Sequence, residues 1–204
     1  IKVDASGALA WQRCLGGSGT DNANGVLLTA DGGCLISCYT TSNDGDVTDN
    51  HGEYDMWAVK LDADGAIEWQ RCLGGTTSDG GYAAVQDADG GYTIAGFASS
   101  TDGDVTELAG ASDVWMVHLD AAGALEWETT YGGTGGDGAS ALVPKPGGGY
   151  FLAANSASDD GDVSGGHGGE DGWVLSLTAS TLGVLPAQEE GGTDLWFDEA
   201  ARVI

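Results

Sequence analysis

Short apolar runs alternate along the chain with stretches rich in glycine and aspartate. In the middle of the chain each apolar run has the length of a strand and ends at Asp-Gly or Gly-Gly pairs, which supply the positive φ of tight turns. No apolar period of about 3.6 residues is sustained, and only DEAAR within Leu195–Val203 indicates a short helical piece. The pattern predicts strands at Gly81–Gln86, Tyr92–Ala98, Val114–Leu119 and Ala124–Tyr131.

The same pattern returns every 58 residues without insertions, so the chain is an internal repeat. This register predicts one domain over 1–204, with repeats at about 1–58, 59–116 and 117–174 and a divergent tail at 175–204. Six tryptophans recur at the 58-residue spacing in two series: Trp11, Trp69 and Trp127, and Trp57, Trp115 and Trp173. We expect their side chains to fill the space between units. Trp196 lies outside the register and is the candidate for stacking on a ligand.

Four antiparallel strands in each repeat, apolar on both sides as in VWMVHL, predict an all-β fold and favour a β-propeller. A β-solenoid or a stack of hairpins is the alternative. Ile1–Asp4 matches Val59–Asp62, so the chain begins at a third strand and has roughly fourteen strands before the tail. We expect Asp194–Ile204 to close a four-bladed ring. Otherwise an open part-propeller closes by oligomerisation through its edge strands, or the chain is a piece of a longer array.

The run VKLDADGAIEWQRCLGG (Val59–Gly75) resembles the turn-and-tryptophan signature of propeller blades in the PQQ-like and Asp-box groups. Over residues 1–178 the unit is similar to long propeller repeats that occur in tandem in secreted bacterial and archaeal surface proteins. The resemblance implies tryptophans docked between blades and an extracellular or cell-surface location. The last copy departs from it at Thr178 and Leu185, where Asp and Trp are expected. Nothing resembles a quinone pocket.

The chain is strongly acidic, with 32 acidic and 6 basic residues and a net charge of −26. Nucleic acids and anionic membrane surfaces are therefore excluded as partners, because both need Lys and Arg. No apolar run approaches the ~20 residues of a membrane span, so membrane insertion is not expected. The expected partners are an unidentified protein or glycan, or further copies of the chain joined through blade edges.

Each repeat carries an Asp-Gly-Asp loop and a third aspartate nine residues later. Alternating carboxylates around a glycine turn are a common source of the oxygen ligands of calcium, so calcium is the expected ion. The alternative is that these side chains cap their own turns by bonding backbone amides. A transition-metal site at His51 or His167, with Asp49 or Glu170, is less favoured. The candidate calcium ligands are Asp44, Asp46, Asp55, Asp102, Asp104, Asp113, Asp160, Asp162 and Asp171.

The remaining chemistry favours binding over catalysis. No nucleophile elbow, phosphate-binding loop or metalloprotease helix is present. Carboxylates recur in register, whereas a catalytic pair needs two different environments, so a carbohydrate-active enzyme is the least favoured function. We expect a non-catalytic binding or adhesion module; the alternative is an assembly unit of a surface protein or filament. The four cysteines are expected as buried free thiols, or with Cys14 bridged to Cys34 or Cys38.

Overall fold

The computed structural model describes residues 1–178, which contain thirteen β-strands and no helix, hence no helix that could span a membrane. The all-β prediction is confirmed for this part of the chain. Closure by Asp194–Ile204, the helical piece in Leu195–Val203 and the role of Trp196 fall outside the described residues.

The strands are β1 Lys2–Val3, β2 Leu9–Trp11, β3 Asp21–Leu28, β4 Cys34–Thr40, β5 Asp55–Leu61, β6 Ile67–Leu73, β7 Asp79–Gln86, β8 Tyr92–Ala98, β9 Asp113–Leu119, β10 Leu125–Tyr131, β11 Asp137–Pro144, β12 Tyr150–Ser156 and β13 Asp171–Leu177.

The strands form antiparallel sheets in chain order. β1 and β2 make an N-terminal hairpin, β3–β6 make sheet 1, β7–β10 make sheet 2 and β11–β13 make sheet 3. The predicted four-stranded unit is therefore present in sheets 1 and 2. Sheet 3 has three strands within residues 1–178, so the described total is thirteen, one below the roughly fourteen expected. β7 begins at Asp79 and β9 at Asp113, slightly earlier than predicted, because both aspartates pair with Ala98 in the ladder.

Successive residues of β9 face different sheets. Trp115 is fully buried in a cluster shared by sheets 1 and 2, together with Leu35 and Ile94. The next residue, Met116, is fully buried in a cluster shared by sheets 2 and 3, together with Leu152. Side chains alternate between the two faces of a strand, so a strand packed on both sides needs apolar residues at nearly every position. The continuous apolar run of β9 meets that need, and the core is a series of layers between sheets.

Sheet 3 is covered on one face only in the described part of the chain. Residues along β12 alternate between buried and exposed. Phe151 is 47 % exposed and Val174 is 73 % exposed, whereas the residues 58 positions earlier, Thr93 and Met116, are 0 % exposed. The outer face of sheet 3 therefore presents apolar side chains at positions that another sheet covers elsewhere in the molecule.

A tryptophan on the last strand of one unit contacts a turn of the next unit. Trp69 Nε1 donates a hydrogen bond to the Ala121 carbonyl at 3.1 Å, and Trp11 Nε1 donates to the Ala63 carbonyl at the same distance. Gly123 in the β9–β10 turn has a φ of 83°, and a Cβ there would lie 2.8 Å from the Trp69 ring. Glycine is needed at this turn both for its backbone conformation and for the close approach of the indole.

The first strand of each sheet reaches a common cleft. Asn24 of β3, Tyr82 of β7 and Ser140 of β11 occupy the same register position, 58 residues apart, and all three line one cleft of about 560 Å³. The three sheets therefore turn equivalent strands toward the same space.

Candidate functional site

The Asp-Gly-Asp loops bind the glycine-rich segment that precedes each sheet. Asp44 Oδ1 accepts a hydrogen bond from the Ser18 amide at 2.7 Å, and Asp46 Oδ2 accepts one from the Gly16 amide at 3.2 Å. Charge-assisted bonds of this kind are stronger than neutral ones. The loop of each repeat therefore fixes the entry into its own sheet. The equivalent pairs are Asp102 with Thr76, Asp104 with Gly74, Asp160 with Thr134 and Asp162 with Gly132.

These partners differ from those expected for turn capping. The bonded amides lie 26 and 30 residues before the carboxylates, in another segment and not in the loop's own turn. The central Gly45 has a φ of 67°, and a Cβ there would lie 2.4 Å from the Gly16 carbonyl oxygen. The glycine of the motif therefore permits both the turn and the close approach of the two segments.

The third aspartate of each repeat closes its loop at the start of a strand. Asp55 Oδ2 accepts a hydrogen bond from the His51 amide, and Asp113 and Asp171 accept the equivalent bonds, all at 2.6 Å. Within residues 1–178, no three Asp, Glu, His or Cys side chains are grouped so that they could hold a metal ion among themselves. The calcium site of the sequence analysis thus stays a prediction, and its nine carboxylates are engaged with backbone amides.

A second series of aspartates, buried in sheets 2 and 3 and partly buried in sheet 1, was missed by the sequence analysis. Asp79 is 0 % exposed; its Oδ1 accepts bonds from the Ser99 and Ser100 amides, and its Oδ2 accepts bonds from the Gly75 amide and the Ser100 hydroxyl. Asp21 and Asp137 hold the same register position, 58 residues before and after it. This series follows the Gly-Gly pair of each repeat and was visible as a periodic carboxylate.

A basic residue is buried at the same position of the third strand in sheets 1 and 2. Lys60 is 2 % exposed, and its Nζ lies 2.7 Å from both Asp31 Oδ2 and Glu68 Oε2. Fifty-eight residues later, His118 is 4 % exposed and faces three carboxylates: Asp87, Asp89 and Glu126. Burial alone would lower the pKa of His118, but the hydrogen bond with Asp87 and the charges of the other two carboxylates raise it. Lys60 and His118 thus each contact carboxylates from their own sheet.

The other histidines and the cysteines have simple surroundings. His51 Nδ1 lies 2.9 Å from Asp55 Oδ2, within its own loop. All four cysteines are free thiols, as expected, but Cys14 is exposed and Cys34 is partly buried. Burial raises the pKa of the Cys38 and Cys72 thiols to about 12, so both are poor nucleophiles.

Four aromatic side chains gather beside the cleft, and we name them the aromatic patch: Tyr39, Tyr54, Tyr82 and Phe97. The ring centroids of Tyr39 and Tyr54 are 5.3 Å apart in an edge-to-face arrangement, and those of Tyr82 and Phe97 are 5.9 Å apart and stacked. Tyr54 is 39 % exposed and the other three are partly buried. Together with Ser78 they line a second cleft of about 240 Å³.

The aromatic patch continues into the cleft between the sheets. Tyr82 and Phe97 line both spaces, so the two clefts share a wall. The larger cleft adds polar groups, among them Asn155 and Glu170. An apolar wall with a few convergent polar groups is the usual form of a ligand-binding site.

The patch exists because the repeats differ from one another at its positions. Tyr39 and Phe97 correspond to Asn155 in sheet 3, and Tyr54 corresponds to Ser112 and Glu170. Aromatic residues therefore gather where sheets 1 and 2 meet and are replaced by polar residues toward sheet 3. No protein-family model matches this chain, and no curated protein is similar to it in sequence.

Proposed function

We propose that the chain is a non-catalytic binding module of a secreted or cell-surface protein, built on a β-propeller scaffold whose blades are sheets 1 to 3. The observation that carries this proposal is the aromatic patch beside the cleft. The layered four-stranded antiparallel sheets and the first strands that meet at one cleft support the propeller. Four closed blades remain the favoured arrangement.

The composition of the patch supports binding in preference to packing. Tyrosine offers a large, rigid surface with a polar tip, and such side chains are enriched where proteins contact ligands. A packing role would place equivalent aromatics in every repeat, as the tryptophans are placed. The patch instead is confined to one junction, between β4 and the loop before β5 on one side and β7 and β8 on the other.

The surroundings of the patch favour an uncharged ligand rich in hydroxyl groups, such as a neutral glycan. The net charge of −26 disfavours anions over the whole surface. Aromatic faces pack against the C–H faces of sugar rings, and neighbouring carboxylates and amides accept and donate hydrogen bonds to hydroxyls. Asn155 and Glu170 line the larger cleft, and Glu53 directly precedes Tyr54 in the chain.

The expected result is that the chain binds neutral glycans on a microarray and that the double variant Tyr39→Ala/Tyr54→Ala loses about tenfold or more in affinity, or ~1.4 kcal/mol. Titration calorimetry with the strongest glycan measures the loss. Ile67→Ala is the matched control, because Ile67 is 37 % exposed on β6, outside the patch, and should bind like the wild type. Equal binding by the double variant, or no glycan bound by the wild type, contradicts the proposal.

Assembly through sheet 3 is the second candidate function. Its supporting observation is the outer face of sheet 3, where Phe151 and Val174 are exposed although the equivalent residues of sheet 2 are buried. Large exposed apolar surfaces mark sites of association. A second copy would then cover this face with another sheet.

If assembly is the function, sedimentation velocity should show self-association that increases with concentration, and Val174→Asp should keep the chain monomeric at every concentration. The aspartate places a charge in the centre of the apolar face, where burial against another chain is costly. A wild-type chain that stays monomeric throughout rules out this candidate and leaves the aromatic patch unaffected.

A further inference from the structure

Carboxylates from neighbouring sheets face each other across one glycine, at a place that we name the joint. At the first joint, a Cβ built on Gly74 would lie 3.0 Å from Asp55 Oδ1 and 2.7 Å from Asp79 Oδ2. Asp55 opens β5 in sheet 1 and Asp79 opens β7 in sheet 2. Asp104 also reaches this glycine, because its Oδ2 accepts a hydrogen bond from the Gly74 amide at 3.2 Å. Three carboxylates therefore surround a single backbone position between two sheets.

The second joint repeats the first, between sheets 2 and 3. A Cβ on Gly132 would lie 2.7 Å from both Asp113 Oδ1 and Asp137 Oδ2. Asp162 Oδ2 accepts a hydrogen bond from the Gly132 amide at 3.2 Å, as Asp104 does at the first joint. At Gly16, the equivalent place before sheet 1, the carboxylate nearest to a built Cβ is that of Asp21, whose Oδ2 would lie 2.2 Å away. The described chain thus has two complete joints.

Buried oxygens at both joints have no hydrogen-bond donor. Asp55 is 0 % exposed and Asp113 is 1 % exposed, and the Oδ1 of each, the atom that faces the partner carboxylate, is unpaired. Asp137, 2 % exposed, also has an unpaired Oδ1, whereas its joint-facing Oδ2 accepts bonds from the Gly133 amide and the Ser158 hydroxyl. A buried carboxylate oxygen without a hydrogen-bond partner is costly, and a second carboxylate nearby increases that cost. Such atoms are free to act as ligands of a positively charged ion.

We propose that each joint binds a divalent cation that prefers oxygen ligands, with calcium the better fit: one ion between Asp55 and Asp79, and one between Asp113 and Asp137. Calcium accepts carboxylates together with backbone carbonyls and water, so two carboxylates can begin a site without a third converging side chain. The unpaired Oδ1 atoms of Asp55 and Asp113 supply the ligands that no amide uses. The cation joins two sheets, whereas the predicted loop site would join two parts of one loop.

The joint sites differ from the predicted loop sites in their ligands. Asp79 and Asp137 belong only to the joints, and Asp44 and Asp102 belong only to the loops. The proposal extends the calcium expectation and does not depend on the aromatic patch. Its failure would therefore leave glycan binding untouched, and loss of glycan binding would leave the ions in place.

The test measures bound calcium by mass spectrometry after dialysis, together with thermal unfolding in calcium and in chelator. The double variant Asp79→Asn/Asp137→Asn should lose two ions relative to the wild type. At a hundredfold excess of calcium over its Kd, each ion should raise the Tm by about 5–10 °C. The matched control Asp44→Asn/Asp102→Asn, which changes two loop carboxylates, should keep both ions and the full rise in Tm.

Loss of ions from the loop variant with retention in the joint variant overturns the proposal, and so does a wild type that binds no ion. If the joint variant fails to fold, infrared spectroscopy of the wild type decides. Calcium should shift the carboxylate stretching bands without any band of protonated carboxyl groups. A protonated carboxyl band that persists at saturating calcium means that each pair shares a proton, and this result also overturns the proposal.

Discussion

Replacing Trp115 by alanine should lower the free energy of unfolding by about 3–5 kcal/mol, the range for removing a buried aromatic side chain. Trp115 is 0 % exposed on β9, the third strand of the middle sheet. It packs in the cluster shared by sheets 1 and 2, and its Nε1 donates to Glu128 Oε2 at 2.8 Å. The substitution therefore removes apolar contacts from two sheets and leaves a cavity between them.

Trp173 provides the matched control, because it occupies the same register position in sheet 3 and is only partly buried. Trp173→Ala should cost clearly less, about 1–2 kcal/mol. Urea unfolding followed by circular dichroism measures both values, and an unchanged m value shows that the comparison is valid. Equal losses at the two positions would contradict the conclusion that this tryptophan position is packed more tightly between sheets 1 and 2 than between sheets 2 and 3.

The local features of the fold could be read from the sequence because they depend on neighbouring residues. Apolar runs and Asp-Gly or Gly-Gly turns predicted the four strands of sheet 2 with boundaries within two residues of those observed. The 58-residue register then extended the same strands to the other sheets. The predicted strands began two residues after Asp79 and one after Asp113, since a carboxylate at a strand end looks polar in the pattern.

The partners of the polar residues could not be predicted in the same way. The amides that Asp44 and Asp46 bind lie in another segment, and no periodicity shows which segments meet in space. The aromatic patch was still harder to foresee, because only Tyr39 and Phe97 share a register position, and Tyr54 and Tyr82 come from two others. Lys60 was overlooked because an apolar strand surrounds it. The periodic Asp21, Asp79 and Asp137 are the one case in which the sequence held a usable signal.

Removing the buried ammonium of Lys60 should have the second large effect. Lys60→Ala is expected to cost about 3–5 kcal/mol, because it deletes the buried partner of two carboxylates and leaves the space of a long side chain empty. Lys60→Met should cost less. It refills most of the space, and Asp31 and Glu68, which are 53 % and 45 % exposed, can turn toward water. Lys2→Met is the control at an exposed lysine, with an expected change within about 0.5 kcal/mol.

The pH dependence of stability distinguishes the ion pair from simple packing. The hydrogen bond from Lys60 is the main cause that lowers the pKa of Asp31, with help from Thr29 and the Gly33 amide. A carboxylate whose pKa is lower in the folded state stabilises it above the unfolded-state pKa of about 3.9 and loses that effect as the pH falls. Below about pH 4, the free energy of unfolding should therefore fall more steeply with decreasing pH in the wild type than in Lys60→Met. In that variant the pKa of Asp31 should rise toward its ordinary value. Carbon NMR of the Asp31 carboxyl measures that rise directly. An unchanged pKa in Lys60→Met would mean that Thr29 and the Gly33 amide set the pKa of Asp31, and Lys60 would then stabilise the sheets through packing alone.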